Sequence, residues 1–90
     1  MAGGAPVLTL HERVGCHLCE DMAAQLDELF APGSFVLERV DIDREPALRA
    51  RYDTEVPVLC AGERELCRHF LDPLAVSECL ASYNTSRTSR

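Results

Sequence analysis

Two hydrophobic periods alternate along this 90-residue chain. Their order, β-α-β-α-β-β-α, predicts one α/β domain built on a four-stranded mixed sheet with three helices. Three observations carry that expectation. Residues 7–11, 35–42 and 56–60 are short runs of β-forming side chains. Apolar spacings of three and four mark a helix after the first strand and another after the last. A glycine turn at residues 61–63 folds the third strand onto a fourth.

The elements follow in order. After a flexible lead over residues 1–6, Val7, Leu8, Thr9, Leu10 and His11 read as the first strand, with a polar turn to Gly15. Cys19, Met22, Ala23, Leu26, Leu29 and Phe30 then form one helical stripe, with Glu20, Asp21, Gln25, Asp27 and Glu28 on the other side. Ala31, Pro32 and Gly33 stop that helix. The second strand ends at Asp41, Ile42 and Asp43, read as a solvated turn, and Pro46 opens a short second helix. The third strand begins at Pro57, a position where a sheet tolerates proline. The fourth covers residues 64–67. Asp72-Pro73 is a helix start, with Val76, Cys79, Leu80 and Tyr83 as the stripe behind it. The expected domain spans residues 1–83, and residues 84–90 read as a disordered polar tail. The helical crossover makes the first two strands parallel, whereas the tight turn makes the last two antiparallel.

Composition narrows the function. Hydrophobic residues are 47% and charged residues 27% of the chain, the balance of a folded globular protein. Fifteen acidic residues against nine basic ones, all arginine, give a net charge of −6. That argues against nucleic acid or an anionic membrane surface as the main partner, since both require a clustered positive face. No apolar run approaches the roughly 20 residues needed to cross a bilayer. Five cysteines cannot all pair within one chain, and the first residues do not read as a secretion signal. The expectation is a cytoplasmic monomer with mostly reduced thiols.

In that setting Cys16-His17-Leu18-Cys19 is the motif that carries chemistry. Cys19 belongs to the apolar stripe. Cys16, one turn earlier, falls at the N-cap or first turn, where the stripe runs out toward solvent. No Ser, Thr, Asp or Asn immediately precedes the helix, so the Cys16 sulfur is the available acceptor for its free N–H groups. Those groups and the helix dipole lower a thiol pKa from about 8.5. Arg13 and His17 add positive charge nearby, and Glu20 and Asp21 oppose it. Cys16 is thus the expected nucleophile toward a disulfide and Cys19 the resolving thiol. Half of a zinc site is the competing reading, but the chain has no second Cys-X-X-Cys. Cys60 and Cys67 are seven apart, and His11 and His69 are isolated, read as surface residues at strand ends. No metal is expected.

Cys60 and Cys79 fall on apolar patterns and read as core filling. With a two-residue turn at Gly62 and Glu63, Val58 faces Cys67. Cys60 and Cys67 then lie diagonally on one face, about 7–8 Å apart, as a possible second redox pair.

A first strand, a Cys-X-X-Cys at a helix start and Val56-Pro57 opening the third strand together resemble the thioredoxin-like superfamily, and within it a glutaredoxin-like branch of small bacterial proteins. The resemblance covers roughly residues 7–80. It implies a thioredoxin-like fold and a thiol-disulfide oxidoreductase, with a cis Val56–Pro57 bond as substrate platform and Arg13 in the basic position before the first cysteine. No bound prosthetic group is implied, with a disulfide-containing protein or small molecule as substrate and glutathione as a possible reductant. The sequence departs from the family pattern at three places. His17-Leu18 replaces Pro-Tyr, Glu55 replaces the Thr before Val-Pro, and Cys67-Arg68 stands where the family keeps Gly-Gly. Side chains there crowd the site, and a carboxylate at 55 repels an anionic tripeptide, which argues against glutathione binding. The alternative function is a non-enzymatic thioredoxin-like module that binds a protein partner, with vestigial or regulatory cysteines.

Overall fold

The first and third strands are the inner strands of the sheet, because both edges of each are paired. A computed structural model of the chain describes residues 5–88, with side chains through Tyr83. Residues 1–4 and 89–90, part of the expected lead and tail, lie outside the described residues. The elements are β1 (Val7–Glu12), α1 (His17–Leu29), β2 (Val36–Asp41), α2 (Pro46–Tyr52), β3 (Val58–Ala61), β4 (Arg64–Arg68) and α3 (Pro73–Thr88). A single 3-10 turn, Ile42–Arg44, precedes α2. The sheet order is β2-β1-β3-β4, with β1 and β2 parallel and the other two pairings antiparallel. This is the mixed α/β sheet with three helices that the pattern predicts.

Alternation along β1 decides what each face carries. Leu8 and Leu10 turn to one side and join Met22 and Leu26 of α1, Leu59 of β3 and Val76 of α3 in the main core. On the other side, Ile42, Tyr52, Val58 and Cys60 form a second core, against which Leu48 and Val56 pack. Two helices therefore cover one face and α2 the other. A 13-residue helix is marginal in water by itself. The full burial of Met22 and Leu26, at roughly 1.5–3 kcal/mol each, is what holds α1 in place.

Three sequence expectations change. His11 is not a surface residue: it is 8% exposed, stacked on Tyr52 at 4.5 Å, and its Nδ1–H donates to the Val58 carbonyl at 3.3 Å. The β3–β4 register shifts at Leu59/Cys60, so Leu59 faces Cys67 and Cys60 faces Glu65. Cys67 accordingly packs against the main core while Cys60 belongs to the second. A bulge moves one side chain of a pair to the opposite face, and it removes the proposed Cys60–Cys67 pair. Helix α3 also runs to Thr88, past residue 83 where the tail was expected to begin. Asp72 Oδ1 accepts from the Ala75 N–H at 3.2 Å, and no Gly or Pro follows Pro73 in the helix, so nothing in the chain stops propagation.

Candidate functional site

The loop after β1 delivers the redox motif. Gly15 has φ +81°, and the Cys16 N–H donates to the Arg13 carbonyl at 3.2 Å, as in a type II turn whose third position favours glycine. That turn leaves Cys16 extended, with φ −92° and ψ 108°, as the N-cap of α1. Its Sγ accepts the Cys19 N–H at 3.1 Å and its carbonyl accepts the Glu20 N–H at 3.2 Å. Cys16 is partly exposed, whereas Cys19 is fully buried. The two sulfurs are bonded, with Cα atoms 5.2 Å apart. One sulfur thus faces solvent at the positive end of a helix, and its partner sits behind it in the core. His17, the first residue of α1, is exposed, and its side chain makes no hydrogen bond or ion pair among the described residues.

Register places the other predicted segment at the same end of the sheet. His11 faces Val58, so Pro57 leaves β3 where β1 runs into the redox loop. Val56 is half-buried, Pro57 is fully buried, and the bond between them is cis. The Pro57 carbonyl accepts the His69 N–H at 2.8 Å, which ties the end of β4 to this platform. His69 has φ +69°, the left-handed region that glycine prefers. The left-handed residue therefore lies one place beyond Cys67-Arg68, where the sequence pattern put the missing glycines.

Three guanidiniums approach this rim, and each is held by two carboxylates. Arg13 bonds Asp43 through Nε and Nη2 and Asp53 through Nη2, all at 3.0 Å, and donates to the Asp53 carbonyl at 3.1 Å. Instead of standing free beside Cys16, it clasps the redox loop to the 3-10 turn and to the end of α2. Asp43 is accordingly part of that clasp, not a merely solvated turn residue. Arg39 of β2 grips Glu12 bidentately, at 2.8 to 3.2 Å, and reaches Glu20 at 3.1 Å. The acidic residue next to Cys19 is thereby neutralised. Arg68 holds Glu65 through Nε and Nη2 at 2.6 and 2.7 Å and Glu55 at 2.8 Å. Its guanidinium keeps the Glu65 carboxyl below the usual range. Position alone marks Arg13 in the sequence. Its partners are 30 and 40 residues away, and no local pattern announces them.

A groove of about 260 Å³ lies beside the motif, between α1 and the segment that follows β4. Leu18, from inside the motif, and Asp21, Met22 and Gln25 of α1 form one wall; His69, Phe70 and Leu71 form the other. Phe70 is 70% exposed and Leu18 37%, so both walls present apolar surface to solvent.

The remaining thiols have different surroundings. Burial pushes the Cys60 thiol up, and it lies within hydrogen-bonding reach of the Tyr52 hydroxyl. Burial also pushes Cys67 up. Cys67 and Cys79 both pack against the main core. Among the described residues, no group of three or more His, Cys, Asp or Glu could hold a metal ion. No helix of the described residues is long and apolar enough to cross a membrane.

The model of the Glutaredoxin-like domain (DUF836) matches residues 7–81, from the first residue of β1 into α3. The chain belongs to that glutaredoxin-like family. Its structure is similar to the solution NMR structure of protein Ne2328 from Nitrosomonas europaea. The two share 39% identity and a TM-score of 0.75 over 83% of this chain and 91% of that one. It is also similar to the X-ray structure of protein XcR50 from X. campestris, at 32% identity and a TM-score of 0.58, covering 83% and 96% of the two chains. A mutant thioredoxin from Halobacterium salinarum shares the fold, with 22% identity and a TM-score of 0.56 over 89% of this chain and 75% of that one. No curated protein matches. This glutaredoxin-like chain therefore has a thioredoxin-like fold and a Cys16–Cys19 pair suited to a redox role.

Proposed function

We propose that this protein is a thiol-disulfide oxidoreductase in which Cys16 is the nucleophile and Cys19 the resolving thiol. One observation carries the reading: the partly exposed sulfur of Cys16 caps α1 and accepts the Cys19 N–H, while Cys19 is fully buried directly behind it. A helix N-terminus favours the thiolate over the thiol, and exposure lets it reach an external disulfide.

In the reduced protein the Cys16 thiolate attacks one sulfur of a substrate disulfide. A mixed disulfide forms, and the first substrate thiolate leaves to take a proton from solvent. Cys19 gives up its proton and attacks Cys16 Sγ. The Cys16–Cys19 bond forms and the second substrate thiolate departs. Two electrons pass from the dithiol to the substrate, and an external thiol or dithiol returns the protein to its reduced form. Glutathione can serve in that step only by direct exchange, since the side chains at positions 55, 67 and 68 disfavour a bound tripeptide. No bound prosthetic group or metal enters the cycle. Val56 and Pro57 are the substrate platform and His17 an electrostatic helper. Arg13, tied to Asp43 and Asp53, acts by holding the loop in place. The proposed setting is the cytoplasm of a bacterium, where a monomer acts on a disulfide-containing protein or small molecule.

Reduction of a small disulfide by the wild type, Cys16→Ser and Cys19→Ser tests the assignment. Cys16→Ser should be inactive, and Cys19→Ser should accumulate a mixed disulfide visible by mass spectrometry. Full turnover by Cys16→Ser would falsify it.

A further inference from the structure

On the reading that Cys16 and Cys19 exchange disulfides, we infer that the groove beside them selects a peptide disulfide with a basic and an apolar residue next to the cysteine, and discriminates against glutathione. The groove is bounded by Leu18, which lies between the two cysteines, and by His69, whose N–H is bonded to Pro57. A peptide that reaches Cys16 across this platform can therefore extend into it. Its apolar surface is Leu18 on one wall and Phe70 on the other, both exposed. Its one carboxylate is Asp21, exposed on α1 and without an ion-pair partner among the described residues.

The surrounding charge decides which ligand fits. An anionic tripeptide needs free cations for its carboxylates, and bidentate guanidinium pairing is the strongest form of that contact. Arg13, Arg39 and Arg68 are each committed to two carboxylates of this chain. Recruiting one of them would strip a guanidinium from its partners and leave those carboxylates beside the incoming anion. Glu55 stands immediately before the platform and accepts from Arg68, with His69 Nε2 at 3.5 Å. Around the groove the uncommitted charge is negative, and the chain as a whole carries −6. A guanidinium or ammonium from a substrate meets Asp21 without displacing any existing pair, while its apolar neighbour covers Leu18 and Phe70.

The test uses pre-reduced protein and three probes: a short peptide disulfide with Arg and Leu beside the cysteine, the same peptide with Glu for Arg, and oxidised glutathione. Loss of the protein dithiol is followed by quenched alkylation and mass spectrometry. At low salt the Arg peptide should react about tenfold faster than the Glu peptide, with glutathione no faster than the latter, and added salt should shrink the ratio. Asp21→Lys and Asp21→Asn should bring the ratio toward one. Glu63→Lys, which makes the same net-charge change as Asp21→Lys in the β3–β4 turn, should preserve it. Equal rates for the two peptides, faster reaction with glutathione, or a Glu63→Lys effect as large as that of Asp21→Lys would overturn the inference. If none of the three probes is reduced, the exchange function itself fails, and this inference with it.

Discussion

Two pairs of cysteines sit in this molecule under different geometric rules. Cys16 caps a helix, Cys19 lies three residues on in its first turn, and the two are bonded. Cys60 and Cys67 are seven apart across a hairpin, and the shift at Leu59/Cys60 sends them to opposite faces of the sheet. Their surroundings diverge as well. The first pair meets free backbone N–H groups at a helix end and opens to solvent. The second meets leucine, valine and tyrosine, and burial pushes both of its thiols up. Chemistry in this fold follows the end of an element, not the number of sulfurs nearby.

Losing the first pair should have the largest effect. Cys16→Ser should reduce disulfide exchange to the uncatalysed rate, whereas Cys60→Ser and Cys67→Ser should retain it; coupled turnover with a small disulfide separates these outcomes. Next comes reactivity. In the reduced protein at neutral pH, iodoacetamide should modify Cys16 at least tenfold faster than Cys60 or Cys67, since each unit of thiol pKa is worth about tenfold in thiolate. Peptide mapping reads this, and a Cys60–Cys67 bridge in the oxidised protein would break the comparison. For stability the order reverses. Cys60→Ala should cost about 1–2 kcal/mol in urea unfolding, through lost packing and a Tyr52 hydroxyl left without its thiol partner, while exchange persists.

A smaller effect concerns the buried imidazole on the same face as Cys60. Burial lowers the His11 pKa below its ordinary 6.5, so the unfolded chain takes up a proton before the folded one. Folding stability should be full above pH 6.5 and should fall as pH drops below it. The slope is up to about 1.4 kcal/mol per pH unit until the folded His11 itself titrates. His11→Phe should flatten that portion of the profile measured by chemical denaturation. The smallest effect is expected from Arg13→Ala. Its ion pairs are exposed, so the variant should lose a little thermal stability, read by calorimetry, and keep its exchange rate. A large drop in rate with unchanged stability would make Arg13 a substrate contact and not a clasp.

What could be read from the sequence follows from how local each determinant is. The α1 stripe, the proline opening α2 and the absence of a conventional N-cap before Cys16 are written within a few residues, and the helix start and its sulfur cap follow from them. The β3–β4 register was not legible: a two-residue turn at Gly62 and Glu63 sets the pairing near the turn, but the bulge at Leu59/Cys60 undoes it within a few residues. Cys67 faces the main core for that reason. The pairing of Arg13 with Asp43 and Asp53 was equally hidden, because it depends on how the 3-10 turn and α2 pack beside the redox loop. His11 looked like a strand-end residue by position. Tyr52, brought over it by α2, makes it interior.

The sulfur cap on α1 also makes the helix a reporter of the site's state. The amide proton of Cys19 points at Cys16 Sγ, so any change of that atom's charge or bonding alters the shielding and solvent exchange of a single backbone N–H. Thiolate, thiol, mixed disulfide and closed bridge present four different acceptors to it. An amide resonance at position 19, followed through a titration or a turnover, would register each of them without any added label at the sulfur.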